Sequence, residues 1–253
     1  MMVTLAKKIL IIVLVFAGPV MSGQEHPELP AAKPREEIVK HEYYTLSFVE
    51  GYELASWVAY ELTAEEASGS LEYKEKYLED PLISTGSATY KDYKKSGYVA
   101  GQLAPVEDMR FSEEAIRESF YLSNIVPQKP AFNKYTWKRI NDMIREWVKE
   151  TGSLLIAGGP VLADAPFPTF GPSKVSIPSR YYKVVLDLQG KKGMGIVVKN
   201  SMASGSLKPF AMSIDEVEKI TKIDFFHSLA DDLEDEIESQ FDASAWNFEI
   251  LDQ

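Results

Sequence analysis

One stretch does most to limit what this chain can fold into: Ser96–Trp137, reading SGYVAGQLAPVEDMRFSEEAIRESFYLSNIVPQKPAFNKYTW. It sets a Gly-flanked turn ahead of an acid-started helix, continues through the polar segment LSNIVPQ, and places Asn133 four residues before Trp137, where a long amphipathic pattern opens. A turn beside a helix start lets backbone N–H groups and a side-chain amide converge on an anion or a hydrated cation. Phosphate chemistry is what such a layout suits.

The elements around this stretch follow from periodicity. Trp137, Ile140, Ile144, Trp147 and Val148 recur at helical spacing and Gly152 ends the run, which predicts a helix over 134–151. Lys138, Arg139, Asn141, Asp142, Arg145 and Glu146 occupy its other arc. Asn141 and Arg145, four apart, face the same way as the end that Asn133 begins. Upstream, Ser112 with Glu113 and Glu114 offers a hydroxyl cap and two first-turn acids, predicting a helix that buries Ile116 and Phe120.

Thr45–Val49 and Ser56–Leu62 alternate as the strands of a hairpin, with Val58, Tyr60 and Leu62 on one face. Leu154–Gly158 reads as a buried strand entering a Gly-Gly-Pro turn, and Tyr181–Leu188 with Met194–Lys199 as a second hairpin. Ser213 and Glu216 form a capping box opening a helix, and Asp231–Gln240 reads as an acidic terminal helix.

At the N-terminus, Lys7 and Lys8 precede an apolar run, Ile9–Ala17, with small residues Val20 and Ser22 beyond it. This predicts a signal peptide over residues 1–22, hence a secreted or periplasmic protein with no membrane anchor in its mature form. Residues 23–43, rich in Pro and charge over Gln24–Glu37, read as an extended linker, 44–240 as one domain, and 241–253 as a frayed tail. The absence of Cys leaves the redox compartment open.

The net charge of −11 falls to −13 when Lys7 and Lys8 leave with the leader. An acidic body disfavours tight charge-driven binding to nucleic acid. A local basic patch can offset it, and Lys91, Lys94, Lys95, Lys129, Lys134, Lys138, Arg139 and Arg145 supply the candidates. There is no internal repeat, P-loop, GxSxG or zinc-ligand spacing to suggest another class of enzyme.

The SGYVAGQLAPVEDM turn, the Asn133-x-x-x-Trp137 pattern, and the blocks WVAYELT, IAGGPVL, VSIPSRYYKVVLDL and SIDEVEKITKIDFF resemble, in order, those of the DNA/RNA non-specific endonucleases, nucleases of the ββα-metal (His-Me finger) class. The similarity runs from about residue 44 to 240. It implies an α+β, ββα-metal nuclease fold with a central antiparallel sheet flanked by helices, hydrolysing phosphodiesters with Mg2+ or a similar divalent cation.

The same resemblance assigns roles by position. The family turn reads roughly SGYDRGHLAPAADM, so its general-base His falls on Gln102, its Asp on Val99 and its Arg on Ala100. Asn133 matches the family's metal ligand, Arg145 an Arg near the phosphate, and Asn141 the position of a Glu that holds a water on the metal. An amide has no lone pair basic near neutrality, whereas imidazole titrates near ~6.5. Losing the Arg removes a fork of donors for phosphate oxygens.

Three readings fit these residues. The chain is a catalytically impaired relative that holds a divalent cation weakly and binds DNA or RNA with low affinity. Alternatively it is an active endonuclease in which Glu107 or Asp108 replaces the base, Asp108 standing at a family position with a structural role. In the third reading the cleft is a binding module for a protein or glycan partner. Of the three His residues, His26 reads as solvated, His227 as a packing or surface residue, and His41 has no partner nearby in sequence.

Overall fold

The computed structural model describes residues 26–249, so the leader expected over residues 1–22 and the last residues of the chain lie outside the described part. The chain enters through β1 (Glu37–Lys40), β2 (Thr45–Val49) and β3 (Leu54–Thr63). A long connection carrying a one-turn helix, α1 (Tyr90–Tyr93), leads to β4 (Val99–Gln102), α2 (Glu113–Ser119) and β5 (Ile125–Gln128). A π-helical turn, Phe132–Trp137, then opens α3 (Lys138–Thr151).

The remaining strands are β6 (Ser153–Pro160), a short pair β7 (Thr169–Phe170) and β8 (Val175–Ser176), then β9 (Arg180–Asp187), β10 (Lys192–Lys199) and β11 (Ala211–Met212). Two helices, α4 (Ile214–Thr221) and α5 (Asp231–Glu238), close the domain. Seven strands form one sheet in the order β1-β2-β3-β6-β9-β10-β11, and every pairing in it is antiparallel.

Alternation along the strands divides the core between the two faces of this sheet. Val58, Tyr60 and Leu62 of β3, Ile156 of β6 and Val185 of β9 pack with Trp137, Ile140, Met143, Ile144, Trp147 and Val148 of the α3 segment. Trp57 and Ala59, Ala157, Val184 and Leu186 face the other way, onto Ile214 and Val217 of α4 and Ile237 of α5. The expected α+β fold with a central antiparallel sheet between helices is therefore the fold found. Among the described residues no helix is long and apolar enough to cross a membrane.

Four local expectations need correction. Glu37–Lys40, placed in the linker of residues 23–43, pairs with β2 as an edge strand, because its backbone groups meet the free edge of the hairpin. Gly158, Gly159 and Pro160 stay in β6 instead of turning, all three paired with β9 and Gly158 with β3 as well. The tail after residue 240 docks: Trp246 is buried against Trp147, with ring centroids 4.9 Å apart, and Trp147 Nε1–H donates to Asn247 O at 3.0 Å. In α2, Ala115 and Phe120 are buried and Ile116 only partly.

Candidate active site and nucleic-acid cleft

The stretch from Ser96 to Trp137 folds as a ββα unit. β4 pairs antiparallel with β5, Val99 opposite Gln128 and Gln102 opposite Ile125, and the chain passes through the π turn into α3. Asn124 locks the turn after β4: its Oδ1 accepts Ala104 N–H at 2.8 Å and its Nδ2 donates to Ala104 O and Ser119 O. Trp137 Nε1–H donates to Gln102 O at 2.9 Å, which pins the start of α3 to the end of β4. In the π turn, Lys138 N–H reaches back five residues to Asn133 O. The widened turn therefore carries Asn133, as such turns often carry functional side chains.

Val99, Ala100, Gln102, Asn133, Asn141 and Arg145 all line one cleft of about 530 Å3. Tyr73, Tyr77, Phe120, Glu75, Glu107, Lys134 and Lys138 complete its walls. Of the expected basic patch, Lys134, Lys138 and Arg145 reach this cleft, and Lys94 lines an adjoining hollow that shares Val99, Ala100 and Asn133. Lys91, Lys95, Lys129 and Arg139 are not among the lining residues, and Arg139 is turned toward Gly205 O.

Gln102 is held at both ends. Its Oε1 accepts Val106 N–H at 3.0 Å, and its Nε2 donates to Ser119 O at 2.9 Å. The amide thus acts as a brace between β4, the following turn and the end of α2, and has no basic lone pair to offer. Asn133 Nδ2 donates to Gln128 Oε1 at 2.8 Å, leaving its own oxygen as the available ligand atom. Gly101 makes this possible, since a Cβ there would fall 2.2 Å from Gln128 Cδ.

Asn141, expected on the helix arc that faces the turn with Arg145, lines the cleft but is buried at 5 % exposure, and its Oδ1 has no hydrogen-bond donor. An orphaned buried acceptor beside Asn133 fits the edge of a hydrated cation site, since a water on the cation could donate to it. The donor set is two neutral amide oxygens, a poor match for the charge of a divalent ion compared with carboxylates.

Arg145 is partly buried in a network. It donates to Asp108 Oδ1 at 2.7 Å and to Asp142, while Tyr60 donates its hydroxyl to Asp108 Oδ2 at 2.6 Å. Burial works to lower the Arg145 pKa, but Asp108 and Asp142 outweigh it and raise it. Burial, then Asp108, push the Tyr60 hydroxyl well above its usual range. Asp108 thus takes the structural role expected of it.

Glu107, the candidate substitute base, accepts from Tyr73 at 2.8 Å and Arg110 at 3.1 Å. Burial raises its pKa, but these two donors hold the carboxyl below the ordinary range, the wrong direction for a base near neutrality. No His completes the site: His41 Nε2 lies 2.9 Å from Asp80 Oδ2 in another part of the core, His26 lies beside Glu28 and Lys40, and His227 is exposed.

Two features of the site were not anticipated. Lys183 of β9 lies fully buried beneath the turn, donating to Leu103 O at 2.7 Å with its ammonium 5.5 Å from both the Tyr60 and Trp137 ring centroids. Burial pushes its pKa down to about 8. Tyr77 stacks on Tyr90 at 4.7 Å with planes 5° apart and meets Phe120 edge-on, making an aromatic wall. The pair Tyr73 and Tyr77, four residues apart in the charged segment between β3 and α1, was the available signal.

The family model for DNA/RNA non-specific endonucleases matches residues 13–232. This chain belongs to that family. The endonuclease-family chain is 30% identical over 205 residues to the mitochondrial nuclease EXOG of Mus musculus, covering 74% of this chain and 56% of the relative. It is 29% identical over 238 residues to the mitochondrial nuclease EXOG of Xenopus laevis, covering 81% and 66%. It thus spans less than two thirds of the length of either relative. Among solved structures, the EndoG/EndoGI complex aligns with a TM-score of 0.70 at 24% identity over 76% of this chain and 86% of that one, which supports the fold.

The secreted or periplasmic destination expected from the N-terminus does not stand. The Mus musculus and Xenopus laevis relatives of this endonuclease-family chain are mitochondrial nucleases.

Proposed function

We propose that this member of the endonuclease family binds DNA or RNA weakly in its cleft and hydrolyses phosphodiesters orders of magnitude more slowly than an intact family site. The observation that carries this is Gln102: the position of the general base holds an amide whose two ends are already bonded to Val106 and Ser119. Loss of a general base alone costs roughly 10²–10⁴ in rate. Ala100, in place of the family Arg, removes a further few kcal/mol (about 3) of charge stabilisation where a transferring phosphoryl group would lie.

Asn133 is the residue that would hold a divalent cation such as Mg2+, with Asn141 contacting its hydration. A bound cation would polarise a phosphate oxygen. Around it, Asn133 would fix position through its bond to Gln128, Arg145 would present its remaining donors to phosphate, and the stacked pair Tyr77 and Tyr90, the latter exposed, would offer aromatic surface for base stacking. The acidic residues Glu75 and Glu107 on the same walls limit affinity for a polyanion. The domain we assign extends from β1 to the docked Trp246, wider than residues 44–240.

The test is cleavage of supercoiled plasmid by purified protein with Mg2+, Mn2+ or a chelator, beside Asn133→Ala. The reading expects no metal-dependent cleavage at ordinary enzyme concentration. Nicking that disappears in Asn133→Ala would instead establish an active site with another base.

A further inference from the structure

Away from the cleft, on the opposite face of the sheet, α4 and α5 cross β10. They sit close because the strand lacks side chains beneath them: a Cβ on Gly195 would fall 2.2 Å from Val217 Cγ2 of α4. Ile214, Val217 and Ile237 pack in the shared core, which fixes the C-terminal end of α5 against α4. Asp215 and Glu218, three residues apart, project from one face of α4. Glu238, the last residue of α5, meets them.

One oxygen from each of Asp215, Glu218 and Glu238 lies within 4.8 Å of the others. Oxygen ligands at about 2.3–2.6 Å from one Ca2+ can stand up to about 5 Å apart, and three carboxylates suit Ca2+ better than Mg2+, which keeps several waters and is usually bound through one or two carboxylates. An acidic cluster alone proves little, but Glu238 adds a separate fact. It is buried at 4 % exposure, and its Oε1 has no hydrogen-bond partner. A buried carboxylate oxygen aimed at two other carboxylates, with nothing donating to it, is costly unless a proton or a cation is supplied.

The surroundings supply little compensation. Glu218 accepts Phe225 N–H at 2.7 Å, and among the described ion pairs the cluster has one cation, Lys219, whose exposed ammonium lies 3.5 Å from Asp215. Asp224 and Glu234 add negative charge. Burial, then Glu218, Glu234, Asp224 and Asp215, push Glu238 up to about 9; burial, then Asp224 and Asp215, push Glu218 to about 7.

We propose that Asp215, Glu218 and Glu238 form a binding site for a calcium-sized hard divalent cation, which clamps α5 onto α4. The site is separate from the nuclease cleft. Its coordination would be completed by water at the half-exposed Asp215 side.

Calorimetric and thermal-unfolding titrations of the full chain with CaCl2 test it, using wild type, Asn133→Ala, and Asp215→Asn and Glu238→Gln each combined with Asn133→Ala. Asn133→Ala, which lacks the proposed cleft ligand, is expected to bind one Ca2+ and to gain Tm with rising CaCl2, and wild type to do the same at this site beside weaker binding in the cleft. The two combined variants are expected to bind at least tenfold more weakly, with Mg2+ at least tenfold weaker than Ca2+ on Asn133→Ala. Should Glu238→Gln fail to fold, Asp215→Asn, on the half-exposed side, decides. Wild type indifferent to millimolar Ca2+, Ca2+ binding that survives in the combined variants, or Mg2+ binding to Asn133→Ala as tight as Ca2+ would each overturn the proposal.

Discussion

Gln102 Oε1 lies 3.0 Å from Val106 N and accepts its N–H, so the residue at the base position of the family is a strut of the turn it belongs to. A base needs a free basic lone pair directed at a nucleophile. Here the side chain's hydrogen-bonding capacity is spent on Val106 and Ser119.

Gln102→Ala should therefore destabilise the domain although the residue performs no chemistry. It strands the Val106 N–H, and a buried donor left without its acceptor costs about 1–3 kcal/mol. Urea unfolding is expected to show a lower midpoint at unchanged slope. A midpoint equal to wild type would mean that the brace contributes nothing.

Asp108→Asn should cost more. It removes the charge that offsets a partly buried guanidinium while leaving Arg145 in place, and breaking a fully buried pair from one side costs about 3–5 kcal/mol. The bond from Arg145 to Asp142 places the expectation near the lower end, about 3 kcal/mol. Asp108→Asn with Arg145→Met should recover much of that loss. A double variant no more stable than Asp108→Asn would show that the unpaired charge is not the cause.

Lys183 predicts a pH signature. Its folded pKa of about 8 lies below the ordinary lysine value of 10.5, so between these values the unfolded chain holds a proton that the folded chain has released. Stability contributed by this group must then rise with pH across that window. Over the two units from pH 8 to 10 the rise is about 2–3 kcal/mol, and it should be absent in Lys183→Met. Comparing the two proteins cancels the opposing effect of buried tyrosines such as Tyr60, Tyr181 and Tyr182, whose raised pKa values destabilise the fold as pH passes 10. Parallel pH curves for wild type and Lys183→Met would contradict a buried, titrating lysine.

The sequence was informative where local periodicity and packing agree. Thr45–Val49 and the Trp137, Ile144, Trp147 stripe appear where alternation and helical spacing put them, because each buries one face against the same core. The co-location of Val99, Ala100, Gln102, Asn133, Asn141 and Arg145 came from the resemblance and is realised in one cleft. What was not legible depends on contacts distant in the chain. Asn141 is buried while lining the cleft, His41 finds Asp80 39 residues away, and Trp246 is held by a helix that ends 95 residues before it. The bond from Gln128 to Asn133 depends on Gly101 in the paired strand, which neither segment alone reveals.

The most direct test of the impaired-site account is metal-dependent cleavage of supercoiled plasmid by wild type, Gln102→His, and the combined variant Val99→Asp, Ala100→Arg, Gln102→His, Asn141→Glu, each shown to be folded by circular dichroism. Residues of one catalytic unit are strongly non-additive, so restoring the base alone should return little while Ala100 and Asn141 remain. The account predicts an inactive wild type, little gain from Gln102→His, and cleavage at least 100-fold above wild type in the combined variant, about what one general base supplies. Wild-type cleavage abolished by Asn133→Ala, or full activity from Gln102→His alone, would contradict it.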